Sequence, residues 1–252
     1  MKRTLLLLAI LLAACGTKPA EHLTVQIHAE YPHAVNAFTQ GLLYDGKHLY
    51  ESTGLVGQSS VRRVALETGA VQRMTAIPEP FFGEGLELVG DTLYMLTWQH
   101  ETGFMFDAET LAHTGEFTYA GEGWGLCYDG ADLWLSNGTS TISRRSTSDF
   151  SELGTITVTN GKNEVQMINE LECVGNYIYA NIWLSDNIVR IDRASGKVTA
   201  VIDASPLRER IGEPLGPDAV LNGIAYNKET GEFYLTGKLW PKLFAVSFAA
   251  AK

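Results

Sequence analysis

The chain has 252 residues, 45% of them hydrophobic, and a formal net charge of −10 at pH 7. A chain of this size can bury a sizeable core, and single all-β domains commonly reach this length. The acidic balance argues against nucleic acid or anionic lipid as a partner, because both attract basic surfaces.

The first fifteen residues have the features of an export signal. Lys2 and Arg3 precede an apolar stretch from Leu5 to Ala14 that is too short to span a bilayer. Residues 12–16, Leu-Ala-Ala-Cys-Gly, resemble the lipobox of bacterial lipoproteins, which predicts cleavage before Cys15 and a lipid on that residue. Such an anchor holds a protein at a membrane without spanning it. An ordinary secretory signal with a chance cysteine is the alternative.

The predicted location follows from this segment. Gly16, rather than aspartate, follows the cysteine, which predicts the periplasmic side of the outer membrane. Loss of Lys2 and Arg3 changes the formal charge from −10 to −12. Residues 16–22 are then a short tether, and residues 23–252 a single domain that we expect to be a monomer.

A short phrase recurs along the rest of the chain and begins with a different residue each time. Its first residues, Gln40, Glu84, Trp124, Asn169 and Asn222, are 44, 40, 45 and 53 positions apart by subtraction. A period of roughly 40–50 residues is typical of a β-propeller or another repeat array. The copies are Gln40-Gly-Leu-Leu-Tyr, Glu84-Gly-Leu-Glu-Leu, Trp124-Gly-Leu-Cys-Tyr, Asn169-Glu-Leu-Glu-Cys and Asn222-Gly-Ile-Ala-Tyr.

Each phrase predicts the first strand of a four-stranded unit. Turn signals such as Asp45-Gly46 and Asp129-Gly130 follow, then second strands with an aromatic residue at one shared place. The predicted third strands are 61–66, 103–107, 141–145, 187–192 and 243–248, and the predicted fourth strands are 71–77, 115–119, 154–159 and 198–203.

The fifth unit lacks a fourth strand, and the N-terminus supplies a candidate. Residues 23–30 alternate apolar and polar side chains and precede the first phrase. Pairing of this strand with the last unit would close the ring and protect its ends. The sequence therefore predicts an all-β, five-bladed propeller of four-stranded antiparallel blades. A proline-containing interruption at 204–221 is predicted to hold a short helix over 207–211.

Cys127 and Cys173 occupy neighbouring positions of adjacent phrases. Their side chains should therefore point to opposite faces of their strands. We expect two buried thiols, with a disulfide as the alternative in an oxidising compartment.

Several common catalytic patterns are absent from the sequence. No two of the six histidines have the spacing of a zinc hydrolase, and there is no Gly-x-Ser-x-Gly elbow. The glycine-rich segment 121–125 leads into a predicted strand rather than a helix, so it lacks the context of a phosphate-binding loop.

Polar and aromatic residues remain at the phrase starts and beside them. Phe38 and Phe82 lie two residues before Gln40 and Glu84, Trp98 and Trp183 end second strands, and Lys238 and Trp240 follow the last one. In a propeller the innermost strands line a central channel, so these groups should meet at its mouth. An aromatic pocket with one carboxylate, one ammonium group and two amides suits a small polar substrate.

Motifs spread over almost the whole chain resemble the plant and bacterial glutaminyl-peptide cyclotransferases. They are Phe38-Thr-Gln-Gly-Leu, Phe82-Gly-Glu-Gly-Leu, Leu96-Thr-Trp, Gly123-Trp-Gly, Asn169-Glu-Leu-Glu, Asn181-Ile-Trp and Gly237-Lys-Leu-Trp-Pro. The resemblance implies a five-bladed propeller and an aminoacyltransferase that converts N-terminal glutamine to pyroglutamate with release of ammonia.

The resemblance also implies roles for the residues at the mouth. Glu84 would move the proton as general acid and base. Asn169 and Lys238 would stabilise charge on the γ-carbonyl oxygen. The substrate-binding residues would be Gln40, which would hold the substrate amide or amine, and an aromatic wall of Phe38, Phe82, Trp98, Trp124 and Trp183. Trp134 is expected to pack in the core, Asn222 to bond channel-lining backbone, Glu87 and Glu172 to make structural contacts, and Glu170 is undecided.

Other interpretations remain at this stage. A lipid-anchored propeller could be a non-catalytic scaffold for peptide binding or assembly, since propellers host many functions. A metal-dependent hydrolase would need several carboxylates in the channel, whereas Glu84 is the one acidic residue that opens a phrase. The predicted reaction needs no cofactor and the predicted catalytic site no metal, and the sequence leaves open a structural divalent cation in the channel. The expected partners are peptide or protein N-termini bearing glutamine, with no nucleic acid.

Overall fold

The computed structural model describes residues 18–251, which form an all-β fold with one short helix. The signal segment, Cys15 and the first part of the predicted tether lie outside the described residues. Within the described part of the chain, no helix is long and apolar enough to cross a membrane.

The predicted four-stranded units appear as antiparallel sheets in which consecutive strands are neighbours. The first strand of the chain, β1, covers Glu21–Pro32. Three separate sheets then follow one another along the sequence. They contain β2 (Thr39–Tyr44), β3 (Leu49–Thr53), β4 (Ser60–Val64) and β5 (Val71–Ala76); β6 (Gly83–Val89), β7 (Thr92–Thr97), β8 (Thr102–Asp107) and β9 (His113–Thr118); and β10 (Leu126–Tyr128), β11 (Leu133–Ser136), β12 (Thr141–Arg145) and β13 (Glu152–Thr157).

The remaining long strands form one eight-stranded sheet rather than two separate sheets. Its order is β16-β17-β18-β19-β1-β22-β21-β20, and the short pair β14 (Thr159–Asn160) and β15 (Asn163–Glu164) precedes it in sequence. The strands are β16 (Ile168–Val174), β17 (Tyr177–Ile182), β18 (Asn187–Asp192), β19 (Val198–Asp203), β20 (Leu221–Tyr226), β21 (Phe233–Gly237) and β22 (Lys242–Ala250). The helix α1 (Ser205–Ile211) follows β19 and ends at Gly212, whose φ of 73° is left-handed.

The N-terminal strand explains why the two halves of this sheet are joined. β1 pairs antiparallel with β22, as its alternating pattern predicts, and it also pairs parallel with β19 through residues 21–24. This second pairing was not predicted. It starts the strand at Glu21, two residues before the start of the predicted strand.

The phrase glycines are explained by the close approach of neighbouring first strands. These strands contact one another in the cyclic order β2, β6, β10, β16, β20 and back to β2. A Cβ atom on Gly41 would lie 2.4 Å from the backbone nitrogen of Leu86, and one on Gly125 would lie 2.1 Å from the backbone oxygen of Asn169. Real side chains do not fit such distances, so the repeated glycine allows the ring of first strands to form.

Glu170 replaces this glycine in the fourth phrase and has a different structural role. Its buried carboxyl group accepts hydrogen bonds from the backbone nitrogen of Leu42, at 3.3 Å, and from that of Ile224, at 2.9 Å. It therefore crosses the axis of the ring and links β16 to β2 and β20. Burial and the nearby Glu172 raise the pKa of Glu170 well above its ordinary value.

The cysteine expectation is wrong, because Cys127 and Cys173 form a disulfide with a Cα–Cα distance of 5.4 Å. The two residues lie in different sheets, on β10 and β16, and belong to the same hydrophobic cluster as Trp134 and Ile178. When two sheets stack, the face of one sheet that points toward its neighbour meets the opposite face of that neighbour. Opposite orientation on their own strands is therefore what lets the two sulfur atoms meet.

Replacing both Cys127 and Cys173 by serine is expected to lower the free energy of unfolding by about 2–4 kcal/mol, because the bridge restrains residues that are 46 positions apart. Urea denaturation of the double variant and of the oxidised wild type measures this difference. Reduced wild type serves as the control and should match the double variant. Equal stability of the oxidised and serine forms would contradict the prediction.

Candidate active site

All nine predicted substrate-contacting residues line one cavity at the end of the ring where the first strands begin. Its volume is about 180 Å³, smaller than the roughly 300–1,000 Å³ pockets that hold drug-sized ligands. The site is therefore suited to a single amino-acid side chain. The nine residues are Phe38, Gln40, Phe82, Glu84, Trp98, Trp124, Asn169, Trp183 and Lys238.

The polar groups are at the bottom of the cavity and the apolar groups reach its mouth. Gln40, Glu84, Asn169 and Lys238 are each at most 5% exposed, whereas Trp98 is 39% exposed. A ligand must therefore insert a polar end past aromatic walls to reach the buried carboxyl and ammonium groups.

A chain of hydrogen bonds fixes the amide of Gln40. Its Nε2 donates to Oε1 of Glu84 at 3.0 Å, and its Oε1 accepts from Nδ2 of Asn222 at 3.3 Å. Asn222 also donates to the backbone oxygen of Thr39 at 3.0 Å, which is the kind of backbone contact predicted for it. The fifth phrase residue therefore holds Gln40 toward Glu84 without lining the cavity itself.

The two ionisable groups at the bottom are both shifted toward their neutral forms. Burial raises the pKa of Glu84 well above its ordinary value, Lys238 opposes this shift, and Glu122 adds to it. Burial lowers the pKa of Lys238 below its ordinary value, against the charges of Glu84 and Asp218. The ammonium nitrogen of Lys238 also lies 4.8 Å from the ring centroid of Phe38. Both shifts bring the proton affinities of the two groups closer together.

Asn169 presents an amide oxygen that is free to accept a hydrogen bond from a ligand. Its Oδ1 atom is buried and has no hydrogen-bond partner within residues 18–251. A buried polar atom without a partner costs roughly 1–3 kcal/mol, so a ligand that bonds to it recovers that energy. The Oδ1 atom of Asn169 is therefore available to accept a hydrogen bond from a ligand at the bottom of the cavity.

The aromatic walls are two edge-to-face groups. Phe82 is the centre of one, 6.1 Å from Phe38 and 5.9 Å from Trp98 between ring centroids, and Trp124 and Trp183 form the other at 5.6 Å. Such contacts hold rings in defined orientations.

A buried histidine that the sequence did not single out supports the loops next to Gln40 and Lys238. His33 Nε2 donates to Glu51 Oε1 at 2.9 Å, and Nδ1 donates to the backbone oxygen of Trp240 at 2.6 Å. Thr39 also donates to Glu51 Oε1, at 2.7 Å. Although burial lowers the pKa of His33, the charge and hydrogen bond of Glu51 outweigh it and raise that pKa above its ordinary value.

Sequence reasoning also missed several residues at the cavity. Leu184, Pro217, Asp218 and Val220 complete its lining, and Glu122 binds two of its tryptophans from behind. Pro217, Asp218 and Val220 lie in the 204–221 interruption. The length of this segment was the one sequence feature that could have indicated a functional role, since long loops often carry function. Within residues 18–251, no group of three or more His, Cys, Asp or Glu side chains is arranged to hold a metal ion.

The protein thus has a repeated all-β scaffold and a small aromatic cavity with a buried carboxyl group and a buried ammonium group. These features place it in the class of proteins that bind one small polar group. The family model described as glutamine cyclotransferase matches residues 3–248. The chain belongs to this family.

Two relatives agree with this membership. The chain is 41% identical over 231 residues to the glutaminyl-peptide cyclotransferase of Arabidopsis thaliana, covering 90% of this chain and 72% of the relative. It is similar to the crystal structure of Myxococcus xanthus glutaminyl cyclase, with a TM-score of 0.86 and 40% identity, over 92% of this chain and 100% of the other.

Proposed function

We propose that this protein is a glutaminyl-peptide cyclotransferase, an acyltransferase that converts N-terminal glutamine of peptides or proteins into pyroglutamate and releases ammonia. The observation that carries the proposal is the buried Glu84 at the bottom of a cavity sized for one side chain, which Lys238 and the unpaired amide oxygen of Asn169 also line. The family membership and the two relatives agree with it.

The reaction joins two parts of one residue. The α-amine nitrogen of the substrate attacks its γ-carboxamide carbon, a C–N bond forms, and the bond from that carbon to the amide nitrogen breaks. One proton leaves the attacking amine and one reaches the departing nitrogen, which leaves as ammonia. Because the attack is intramolecular, the walls mainly have to hold the reactive conformation.

Glu84 is positioned to move that proton. A single carboxyl group can accept a proton from the attacking amine and give it to the leaving nitrogen. The raised pKa of Glu84, caused by burial, brings its affinity for the proton closer to that of the groups it serves. Its hydrogen bond from Gln40 fixes the carboxyl orientation.

Lys238 and Asn169 supply the donors that the transition state needs. Negative charge develops on the γ-carbonyl oxygen, and a buried ammonium group and an amide N–H stabilise it more strongly than water would. Gln40 holds the substrate amide or amine next to Glu84. Phe38, Phe82, Trp98, Trp124 and Trp183 cover the aliphatic part of the glutamine and exclude water, which favours cyclisation over hydrolysis.

The direct test uses a peptide that begins with glutamine. The mature protein is expected to release one ammonia for each free amine lost, and to leave the same peptide unchanged when its N-terminus is acetylated. We propose that no metal takes part, so activity is expected to survive strong chelation. Absence of activity with several glutaminyl peptides would contradict the proposed function, and loss on chelation alone would contradict only the metal-free mechanism.

A non-catalytic scaffold is not favoured over this function. A scaffold needs no buried carboxyl group, ammonium group and unpaired amide oxygen at the bottom of a cavity. Burying such groups costs stability, and a peptide-binding surface would gain nothing from them.

We propose in addition that residues 23–252 form one five-bladed propeller in which β1 completes the fifth blade. The cyclic contacts of β2, β6, β10, β16 and β20 support this, as does the pairing of β1 with β22. The eight-stranded sheet is then two blades bridged by the parallel contact of β1 with β19. An experimental structure with β20 packed elsewhere than against β2 would contradict it.

We also propose that the protein is exported and lipid-anchored through Cys15 on the periplasmic side of the outer membrane. Support comes from the lipobox-like residues 12–16 and from the disulfide, which persists in oxidising compartments. Cys15→Ser is expected to abolish lipid labelling and prevent membrane attachment, while Cys127→Ser retains both. Equal membrane attachment of wild type and Cys15→Ser would contradict this.

A further inference from the structure

We propose that Glu122 is a positioning residue of the active site, which holds the indole rings of Trp98 and Trp124 in the orientation that closes the cavity on the substrate. This inference rests on the proposed function. Glu122 does not line the cavity, and its role depends on the two walls that it joins.

The carboxylate of Glu122 accepts hydrogen bonds from three side-chain donors. Oε2 of Glu122 accepts the indole N–H of Trp98 at 2.8 Å and that of Trp124 at 2.9 Å, and Oε1 accepts from Nε2 of Gln99 at 2.9 Å. The two tryptophans come from loops that follow β7 and precede β10. One side chain therefore fixes rings from two neighbouring repeats.

The exposure of Trp98 makes this contact important. A ring that is 39% exposed has less packing to restrain it than one in the core. Although burial raises the pKa of Glu122, the hydrogen bonds from Gln99, Trp124 and Trp98 outweigh it and lower that pKa below its ordinary value. Glu122 is thus held ionised, and ionised acceptors form the stronger hydrogen bonds.

Two substitutions separate the geometry of Glu122 from its charge. Glu122→Ala removes all three contacts, and we expect KM for a glutaminyl peptide to rise about tenfold with kcat reduced no more than about threefold, because the walls lose their orientation before substrate binds. Glu122→Gln keeps an oxygen that can accept both indole N–H groups, so its KM is expected to stay within about twofold of wild type.

The glutamine variant has a second readout in the pH profile. The charged or titratable groups around Glu84 are Lys238, Glu122 and Tyr119. The charge of Glu122 raises the pKa of Glu84, so its removal is expected to move the acidic limb of kcat/KM to lower pH. A role in folding alone would not produce that shift.

Glu101 provides the matched control. Its carboxylate accepts from the backbone nitrogen of Gly121 at 2.7 Å, so it joins the same two loops without touching a tryptophan. Glu101→Ala is expected to leave KM within about twofold of wild type. The proposal is overturned if Glu122→Ala leaves KM unchanged, or if Glu101→Ala raises KM equally. Inactivity of the wild type would instead overturn the proposed function.

A second inference comes from an exposed leucine with an unusual backbone. We propose that Leu184 forms a subsite at the mouth of the cavity for an apolar side chain on the residue after the substrate glutamine. Leu184 lines the cavity, is 64% exposed and has a φ of 63°. This inference also rests on the proposed function.

Leu184 is unusual when it is compared with the equivalent positions of the other repeats. The equivalent position after the second strand has positive φ in three other repeats, at Leu55, Gly138 and Leu239. Gly138 takes this conformation without strain, and Leu239 packs against a core cluster. Leu184 has the left-handed conformation and an exposed apolar side chain, which are two unfavourable features at one residue. Strain of this kind is found at functional sites.

The depth of the polar groups places the next substrate residue beside Leu184. The side chain of glutamine must reach Gln40, Glu84 and Lys238 at the bottom, so the peptide leaves through the mouth. The exposed lining there includes Leu184, Pro217 and Trp98, together with the acidic Asp218. An apolar side chain at the second position would cover this surface.

Peptides that differ at the second residue test the subsite. Wild type is expected to have a kcat/KM about fivefold higher for glutaminyl-phenylalanine amide than for glutaminyl-glycine amide. Leu184→Asn, which suits the left-handed backbone, should remove this preference, so that the ratio of kcat/KM for the two substrates falls to about one. Leu55→Asn controls for relief of strain and should retain the preference. An equal loss on both substrates, or an unchanged preference, would overturn the inference.

Discussion

Glu84→Gln is expected to reduce kcat by about 10²–10⁴-fold, the contribution of a positioned general acid and base. The substitution keeps the shape of the side chain and a group that can bond to Gln40, but it cannot take up the proton of the attacking amine. Steady-state kinetics with a glutaminyl peptide measure the loss. Because binding contacts remain, KM should change little.

The same variant should not lose stability. The pKa of Glu84 is higher in the folded than in the unfolded protein because of burial. The stability that comes from its neutral form is therefore complete below the unfolded pKa and is lost as pH rises through the folded value. Glu84→Gln removes this loss, so urea denaturation should find it at least as stable as wild type at pH 8.

Glu87→Gln is the matched control for Glu84. Glu87 lies on the same strand, outside the cavity, and its carboxyl group accepts from the backbone nitrogens of Leu88 and Tyr128 at 2.6 and 2.8 Å. Glu87 is half-buried, and desolvation raises its pKa to about 7, so it is also an acid with a raised pKa. Its variant should keep activity within about twofold. Near-normal turnover of Glu84→Gln would contradict the role of Glu84 even if the protein is a cyclotransferase.

Lys238→Met is expected to lower kcat/KM by about 10²–10³-fold, the usual cost of removing a donor to a developing oxyanion. Methionine retains much of the contact with Phe38 but has no N–H group and no charge. The ammonium group also holds down the pKa of Glu84, so the acidic limb of the remaining activity should move to higher pH. Kinetics from pH 5 to 9 measure both effects.

Lys242→Met separates this effect from a general loss of positive charge. Lys242 lies in β22, outside the cavity, and donates to Glu30 Oε2 at 2.9 Å. Its variant should be nearly as active as wild type. An active Lys238→Met variant with an unshifted pH profile would show that Lys238 neither stabilises the oxyanion nor acts on Glu84.

Features that depend on local pattern could be predicted from the amino-acid sequence. Alternating side chains and glycine-containing turns such as Asp45-Gly46 predicted the strands, and the shared phrase predicted that Gln40, Glu84, Trp124 and Asn169 take equivalent places. The resemblance of the motifs to a known family then assigned the chemistry. The strand and turn predictions succeed because strand periodicity and turn conformation are set within a few residues.

Features that depend on the distance between remote residues are visible only in the folded structure. It pairs Cys127 with Cys173, extends β1 along β19, sends the Glu170 carboxyl group across the ring and puts Glu122 behind two indole rings. None of these follows from periodicity, because each joins parts of different strands or loops whose distance in space is set by how the sheets assemble. The glycine of the phrase is the clearest case. The sequence showed that it recurs, and the close packing of neighbouring first strands shows why a side chain at Gly41 or Gly125 would not fit.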